Sequence, residues 1–141
     1  MITVIGSVLA AAAALLHVLI FLMESVWWRR ERVWRRFGLR TQEQADTTRS
    51  LAYNQGFYNL FLAIGVVVGL VMRSAGPLGW NGGLALAGTT LTLFALASMV
   101  AAAIVLTTTG RGYVRAAAVQ GTLPLTAIVL LVVASANSTI A

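Results

Sequence analysis

The sequence predicts an all-α integral membrane protein, built as a bundle of four transmembrane helices. Of its 141 residues, 59% are hydrophobic and only 10% are charged, which is too apolar for an ordinary soluble domain. Four stretches with few or no charges each approach the roughly 20 residues that a helix needs to cross the hydrocarbon core. Such runs exclude a transmembrane β-barrel, whose strands alternate polar and apolar side chains over about ten residues.

The four spans are predicted at residues 2–28, 51–72, 84–107 and 115–136, within a single transmembrane domain over residues 1–141. Nine of the ten arginines lie in the connections at 29–50 and 107–115. Positive charge favours the cytoplasmic side of a cell membrane. We therefore expect these two loops to be cytoplasmic, and the N-terminus, the C-terminus and the loop at 74–83 to lie outside. Because the basic residues are sorted by loop, the net charge of +6 does not indicate a nucleic-acid partner.

The segment after the first span places Val33, Trp34 and Phe37 at helical spacing among arginines. Two interpretations are open: a short amphipathic helix in the interface that favours anionic membrane lipids, or a solvated charge run that only sets topology. A hydroxyl residue is expected to cap the second span: Thr47, Thr48 or Ser50.

Polar side chains inside the spans are few, and burying them in a bilayer is costly, so they mark a candidate site. They are His17 and Glu24 in the first span, Asn54, Gln55, Tyr58 and Asn59 in the second, and Gln120 in the fourth. At 1.5 Å per residue, His17 and Glu24 share a helical face but are separated by about 10 Å along the axis, too far for a direct hydrogen bond.

The same counting places these residues in two layers in the cytoplasmic half of the bundle. The layer nearer the boundary, at about 5 to 7 Å, contains the carboxyl group and three amides: Glu24, Asn54, Gln55 and Gln120. The deeper layer contains Tyr58, Asn59 and His17. We therefore expect Glu24 to pair with the three amides of its layer, and His17 to pair with Tyr58 or Asn59, around a polar cavity.

The second span also contains a G-x-x-x-G pair, Gly65 and Gly69. Small residues at this spacing let two helices approach closely. We assign the pair to packing, either within the bundle or between two copies in a homodimer.

The run from Asn54 to Asn59, followed by Leu62, Ala63 and Gly65, resembles the signature of the uncharacterised four-helix membrane family called domain of unknown function 1304 (DUF1304). His17 and Glu24 in the first span, and Gln120 with Gly121 in the fourth, also match its pattern. The resemblance covers nearly the whole chain. It implies a four-helix membrane fold and supplies no established activity.

The leading hypothesis is a membrane-embedded binder, or an enzyme of isomerase type, acting on a small lipophilic molecule. Glu24 is the candidate proton donor and His17 the candidate base or second relay, while Asn54, Gln55, Tyr58, Asn59 and Gln120 bind the substrate's polar end. No cofactor is expected, because one histidine and one intramembrane carboxylate are too few to hold a catalytic metal.

Two other functions stay open from the sequence. One is a proton-coupled transporter of small molecules, since small multidrug exporters are also four-helix chains with a glutamate on the first helix. The other is a structural or assembly protein without a ligand, in which the amides only join helices and Glu24 pairs with Arg29. In this structural protein Asn54, Gln55 and Gln120 would pair with one another, and side chains would fill the cavity.

Overall fold

A computed structural model of the chain describes residues 1–75 and 82–140, where every long element is helical. The elements are α1 at Ile2–Phe21 with a π-helical continuation at Leu22–Val26, α2 at Glu31–Trp34 with a 3₁₀ turn at Arg35–Phe37, α3 at Gln42–Ala75, α4 at Gly82–Thr108, a 3₁₀ turn at Arg111–Tyr113, and α5 at Val114–Ile140. Most of the loop expected at 74–83, namely residues 76–81, lies outside the described residues.

Four helices are long and apolar enough to cross a membrane: α1 with its π segment, α3, α4 and α5. Each packs against two neighbours, so the helices form a ring in the order α1, α3, α4, α5. The predicted all-α four-helix architecture is confirmed. Arg111, Arg115 and residues 29–49 lie at one end of this bundle, which we call the arginine-rich end.

The core of the bundle is built mainly from small side chains, which allow close approach of the helices. It contains Ala10, Ala13, Ala14, Ala63, Val66, Ala95, Leu96, Met99, Ala127 and Leu131.

α3 begins at Gln42, nine residues before the predicted span, and its 34 residues extend about 51 Å. This length exceeds the roughly 30 Å of hydrocarbon, so the first turns project beyond it. The helix start is capped by Thr41, whose hydroxyl oxygen accepts the Gln44 N–H at 3.2 Å. The expected cap was wrong: Thr47 and Thr48 lie inside the helix and donate to carbonyl groups four residues earlier.

The segment between α1 and α3 folds back onto the projecting part of α3. Trp28 and Trp34 are buried there with Ala45 and Ala52, and the Trp28 indole N–H donates to the Ala45 carbonyl at 2.8 Å. Gly38, with a φ of 82°, supplies the left-handed turn that reverses the chain. A short helix, α2, is therefore present where an interfacial helix was one of two open interpretations, and its buried side packs against α3 instead of facing lipid.

α3 and α4 approach closely where Gly69 meets Gly88. A Cβ atom built there would lie 2.8 Å from both the Gly88 carbonyl oxygen and the Thr92 amide nitrogen, and would also meet the Thr92 hydroxyl. At Gly65 the nearest atom to such a Cβ is that of Ala95 at 3.4 Å, an ordinary contact. The predicted packing role is confirmed for Gly69, which packs against α4 of the same chain, whereas Gly65 makes only an ordinary contact.

Candidate functional site

Glu24 lies in the π-helical segment at the end of α1. The N–H of Trp27 donates to the Leu22 carbonyl at 2.8 Å, the five-residue spacing of a π turn. Segments of this kind are frequent at functional sites, because the extra residue re-aims the side chains of the turn. Glu24 is buried, with 8% of its surface exposed.

One side chain of α3 holds the Glu24 carboxyl group. Asn59 donates from Nδ2 to Glu24 Oε2 at 3.0 Å and to the Gln55 carbonyl oxygen at 3.1 Å. No other described residue donates a hydrogen bond to the carboxyl group, so Oε1 has no partner in the described chain. The amide of Asn59 therefore fixes one oxygen and leaves the other for a different group.

The approach of α1 to α3 at this point depends on Gly56. A Cβ atom there would meet the Ser25 hydroxyl, and would lie 3.1 Å from the Glu24 Cβ and 3.2 Å from the Phe21 carbonyl oxygen. The Ser25 hydroxyl donates to the Tyr53 carbonyl at 2.9 Å and forms a second link between the helices.

Sequence reasoning missed Ser25 and gave Gly56 no role beyond the resemblance. The available signals were a hydroxyl beside the only intramembrane carboxyl group, and a glycine among the polar residues of the second span.

The expected pairing of Glu24 with Asn54, Gln55 and Gln120 was wrong. Asn54 and Gln55 are exposed, Gln120 is half-buried, and the side chains of all three are without a hydrogen-bond partner among the described residues. Gly56 faces α1, and helical periodicity turns Asn54 about 160° away from that direction. Asn59 lies only about 60° away and reaches the carboxyl group.

The expected pairing of His17 with Tyr58 or Asn59 was also wrong. His17 is fully buried, and its Nδ1 lies 2.9 Å from the Ala13 carbonyl oxygen. A carbonyl oxygen only accepts, so Nδ1 is the donor and the neutral Nε2 is an acceptor. Nε2 is buried without a partner in the described residues, while the Tyr58 side chain is 56% exposed.

The inner face of α3 becomes more exposed toward the arginine-rich end. Gln55, Asn59 and Val66 share this face, because steps of four and eleven residues return to nearly the same direction. Val66 is fully buried, Asn59 is half-buried and Gln55 is exposed. Burial thus decreases along one helical face from Val66 as far as the amides, of which Asn59 contacts Glu24.

Gln120 lies at the same level of the bundle as Glu24. The neighbouring Gly121 packs against Ala103, which lies eight residues beyond Ala95 on α4. Ala95 of α4 faces Gly65 of α3, and the two helices are antiparallel. Eight residues before Gly65 on α3 is Phe57, whose neighbour Gly56 packs against Glu24. The structure thus brings Glu24 and Asn59 into contact, places Gln120 at the same level of the bundle, and turns Asn54 and Tyr58 outward.

An aromatic row borders the site on the outer side of α1 and α3. Tyr53, Phe57 and Phe61 follow one another at four-residue spacing, with ring centroids 4.9 and 6.1 Å apart. Phe57 also meets Phe21 of α1 edge-on at 5.2 Å. Tyr53 and Phe61 are exposed, so the row forms an apolar surface on α3, with Phe57 about 160° around the helix from Asn59.

A family model described as "Protein of unknown function (DUF1304)" matches residues 11–132 of the chain. The chain belongs to the DUF1304 family. The DUF1304 match includes His17, Glu24, Asn59 and Gln120, together with the glycines that bring α3 against its neighbours. No curated protein and no solved structure shows a significant match to the chain.

Proposed function

We propose that this DUF1304 protein binds a small lipophilic molecule at the arginine-rich end of its bundle and transfers a proton to or from it through Glu24. Candidate substrates are isoprenoid, sterol-like, quinone-like or fatty compounds with one polar group. The spans of this four-helix protein are almost entirely apolar, and the proposal rests on the contacts of the buried Glu24 side chain within them.

The observation that carries the proposal is the half-satisfied carboxyl group of Glu24. Among the described residues, the buried side-chain atoms without a partner are His17 Nε2 and Trp34 Nε1, so the Glu24 Oε1 atom keeps surface that another molecule can reach. Here Asn59 occupies Oε2, and Oε1 receives no hydrogen bond from the described residues. Oε1 is therefore the atom that we assign to the substrate.

The surroundings of Glu24 suit a molecule that enters from the lipid. Its apolar part would lie in the lipid beside the bundle, and its polar end would reach Glu24, with Gln55 and Gln120 as further hydrogen-bonding groups. His17, deeper in α1, offers Nε2 as an acceptor of a hydrogen bond or a proton.

The reaction that fits these groups is the shift of a carbon–carbon double bond. Glu24 would give its proton to one carbon of the double bond, and a neighbouring carbon would lose a proton to the resulting carboxylate or, by relay, to His17. Substrate and product have the same composition, so the reaction needs no oxidant, reductant or second substrate.

Removal of the acid provides the test. We expect mass spectrometry of the purified wild-type protein to find a lipophilic compound that Glu24→Gln does not retain. After incubation in D₂O, the compound bound to the wild type should carry deuterium on carbon, the sign of reversible proton transfer.

The matched control is Glu31→Gln, which removes an exposed carboxylate outside the spans and should keep both results. Identical bound compounds in the wild type and Glu24→Gln would contradict binding through Glu24. A bound compound without deuterium on carbon would restrict the site to binding.

We also propose that the arginine-rich end faces the cytoplasm of the cell, so that both termini lie outside. Nine of the ten arginines support this orientation. The chain has no cysteine, so a single Gly112→Cys variant, at a glycine with open space around it, reports the side directly. A membrane-impermeant maleimide should label Cys-bearing protein in inverted vesicles and leave it unlabelled in intact cells; the reverse pattern would contradict the orientation.

A further inference from the structure

Five arginines follow directly after the π segment of α1 and form a group that we call the arginine collar. They are Arg29, Arg30, Arg32, Arg35 and Arg36. All five side chains are exposed, and Glu31 is the only acidic residue among them. Residues 29–36 therefore carry five positive charges and one negative charge, a net charge of +4.

Only part of this charge is neutralised within the chain. Arg35 pairs with Glu31 at 2.7 Å, and its guanidinium lies over the Trp34 ring at 5.6 Å. The Arg30 guanidinium lies over the Trp27 ring at 5.4 Å. The guanidinium groups of Arg29, Arg32 and Arg36 have neither an ion pair nor a hydrogen bond to any described residue. Three guanidinium groups are thus free to bind an external anion.

The fold presents these groups at the boundary of the hydrocarbon. Trp28 and Trp34 are buried against α3, and Trp28 packs beside Ala52, next to the start of the second predicted span at 51. The apolar side chains of the segment are therefore occupied within the protein and are unavailable for insertion into lipid. The outward surface of the collar is cationic and closely follows the end of the first candidate span at Val26.

We propose that the arginine collar binds the phosphate group of anionic phospholipids. A guanidinium can donate two parallel hydrogen bonds to phosphate oxygens, which favours arginine over a simple point charge at such a site. A zwitterionic phospholipid brings an ammonium group that the collar repels, whereas phosphatidylglycerol does not. The site is separate from Glu24 and does not depend on the function proposed above.

The test uses the purified full-length protein in a neutral detergent, where membrane orientation has no effect. Fluorescent phosphatidylglycerol is titrated into the wild type and into the double variant Arg32→Gln/Arg36→Gln. We expect the double variant to bind about 25-fold more weakly, roughly fivefold for each arginine removed. Fluorescent phosphatidylcholine should bind the wild type and the double variant equally weakly.

The matched control is Arg111→Gln/Arg115→Gln, which removes two exposed charges elsewhere at the same end of the bundle. This variant should bind phosphatidylglycerol with nearly the wild-type affinity. An equal loss in both double variants would overturn the collar site in favour of diffuse charge attraction. Displacement of the lipid by inorganic phosphate at a similar concentration would overturn the lipid as its ligand.

Discussion

Gly69→Ala should lower the free energy of unfolding by about 1–3 kcal/mol, the usual cost of overpacking a close contact. The added methyl group would lie 2.8 Å from two backbone atoms of α4, the carbonyl oxygen of Gly88 and the amide nitrogen of Thr92. Backbone atoms inside a helix cannot move aside individually, so α3 and α4 must separate. The loss is measurable in detergent from the fluorescence of the chain's four tryptophans during unfolding.

Gly65→Ala is the matched control for this substitution, because it makes the same chemical change one turn away on the same helix. Its methyl group meets only the Ala95 side chain at 3.4 Å, so the contact is already of ordinary length. Replacing glycine by alanine in a helix interior otherwise favours the helix by about 0.5–1 kcal/mol. We expect Gly65→Ala to be neutral or stabilising, and equal destabilisation by the two variants would refute the close contact at Gly69.

Asn59→Ala should destabilise the protein by about 1–3 kcal/mol, the cost of leaving a buried polar group without its partner. The variant removes the single side-chain donor to Glu24, while the carboxyl group stays buried between α1 and α3. We also expect it to lose the compound bound through Glu24, because the carboxyl group is no longer oriented. Unfolding in detergent and mass spectrometry of bound molecules measure the two effects.

Asn54→Ala removes the same amide from the same helix and provides the control. Asn54 is exposed and makes no side-chain hydrogen bond to the described residues, so its loss should change stability by less than about 0.5 kcal/mol. A double-mutant cycle between Asn59→Ala and Glu24→Ala then isolates their interaction, because alanine has neither the donor nor the acceptor. Additive effects of the two substitutions would mean that the contact contributes nothing to stability.

The polar residues of the site could be named from the sequence, but their pairing could not. Spacing defines the directions of Asn54, Gln55 and Asn59 relative to one another on a single helix. It does not define how that helix is rotated against its neighbours. The contact of Gly56 with α1 sets this rotation and selects Asn59 as the partner of Glu24.

The connection after the first span shows the same distinction. Its arginines and tryptophans indicated a membrane boundary, and a short helix is present there. Hydropathy could not show that Trp28 and Trp34 pack against a projecting turn of α3, because the polar residues of that turn look like a loop. The early start of α3 is explained only by the packing of these two rings against Ala45 and Ala52.

The number of long helices and their approximate ends could thus be read from composition and order along the chain. These properties are local, because a span is favoured by the transfer of its own side chains into hydrocarbon. The hydrogen bond from Asn59 to Glu24 and the full burial of His17 depend on contacts between residues distant in sequence. Close packing of helices creates those contacts, so only the tertiary structure could reveal them.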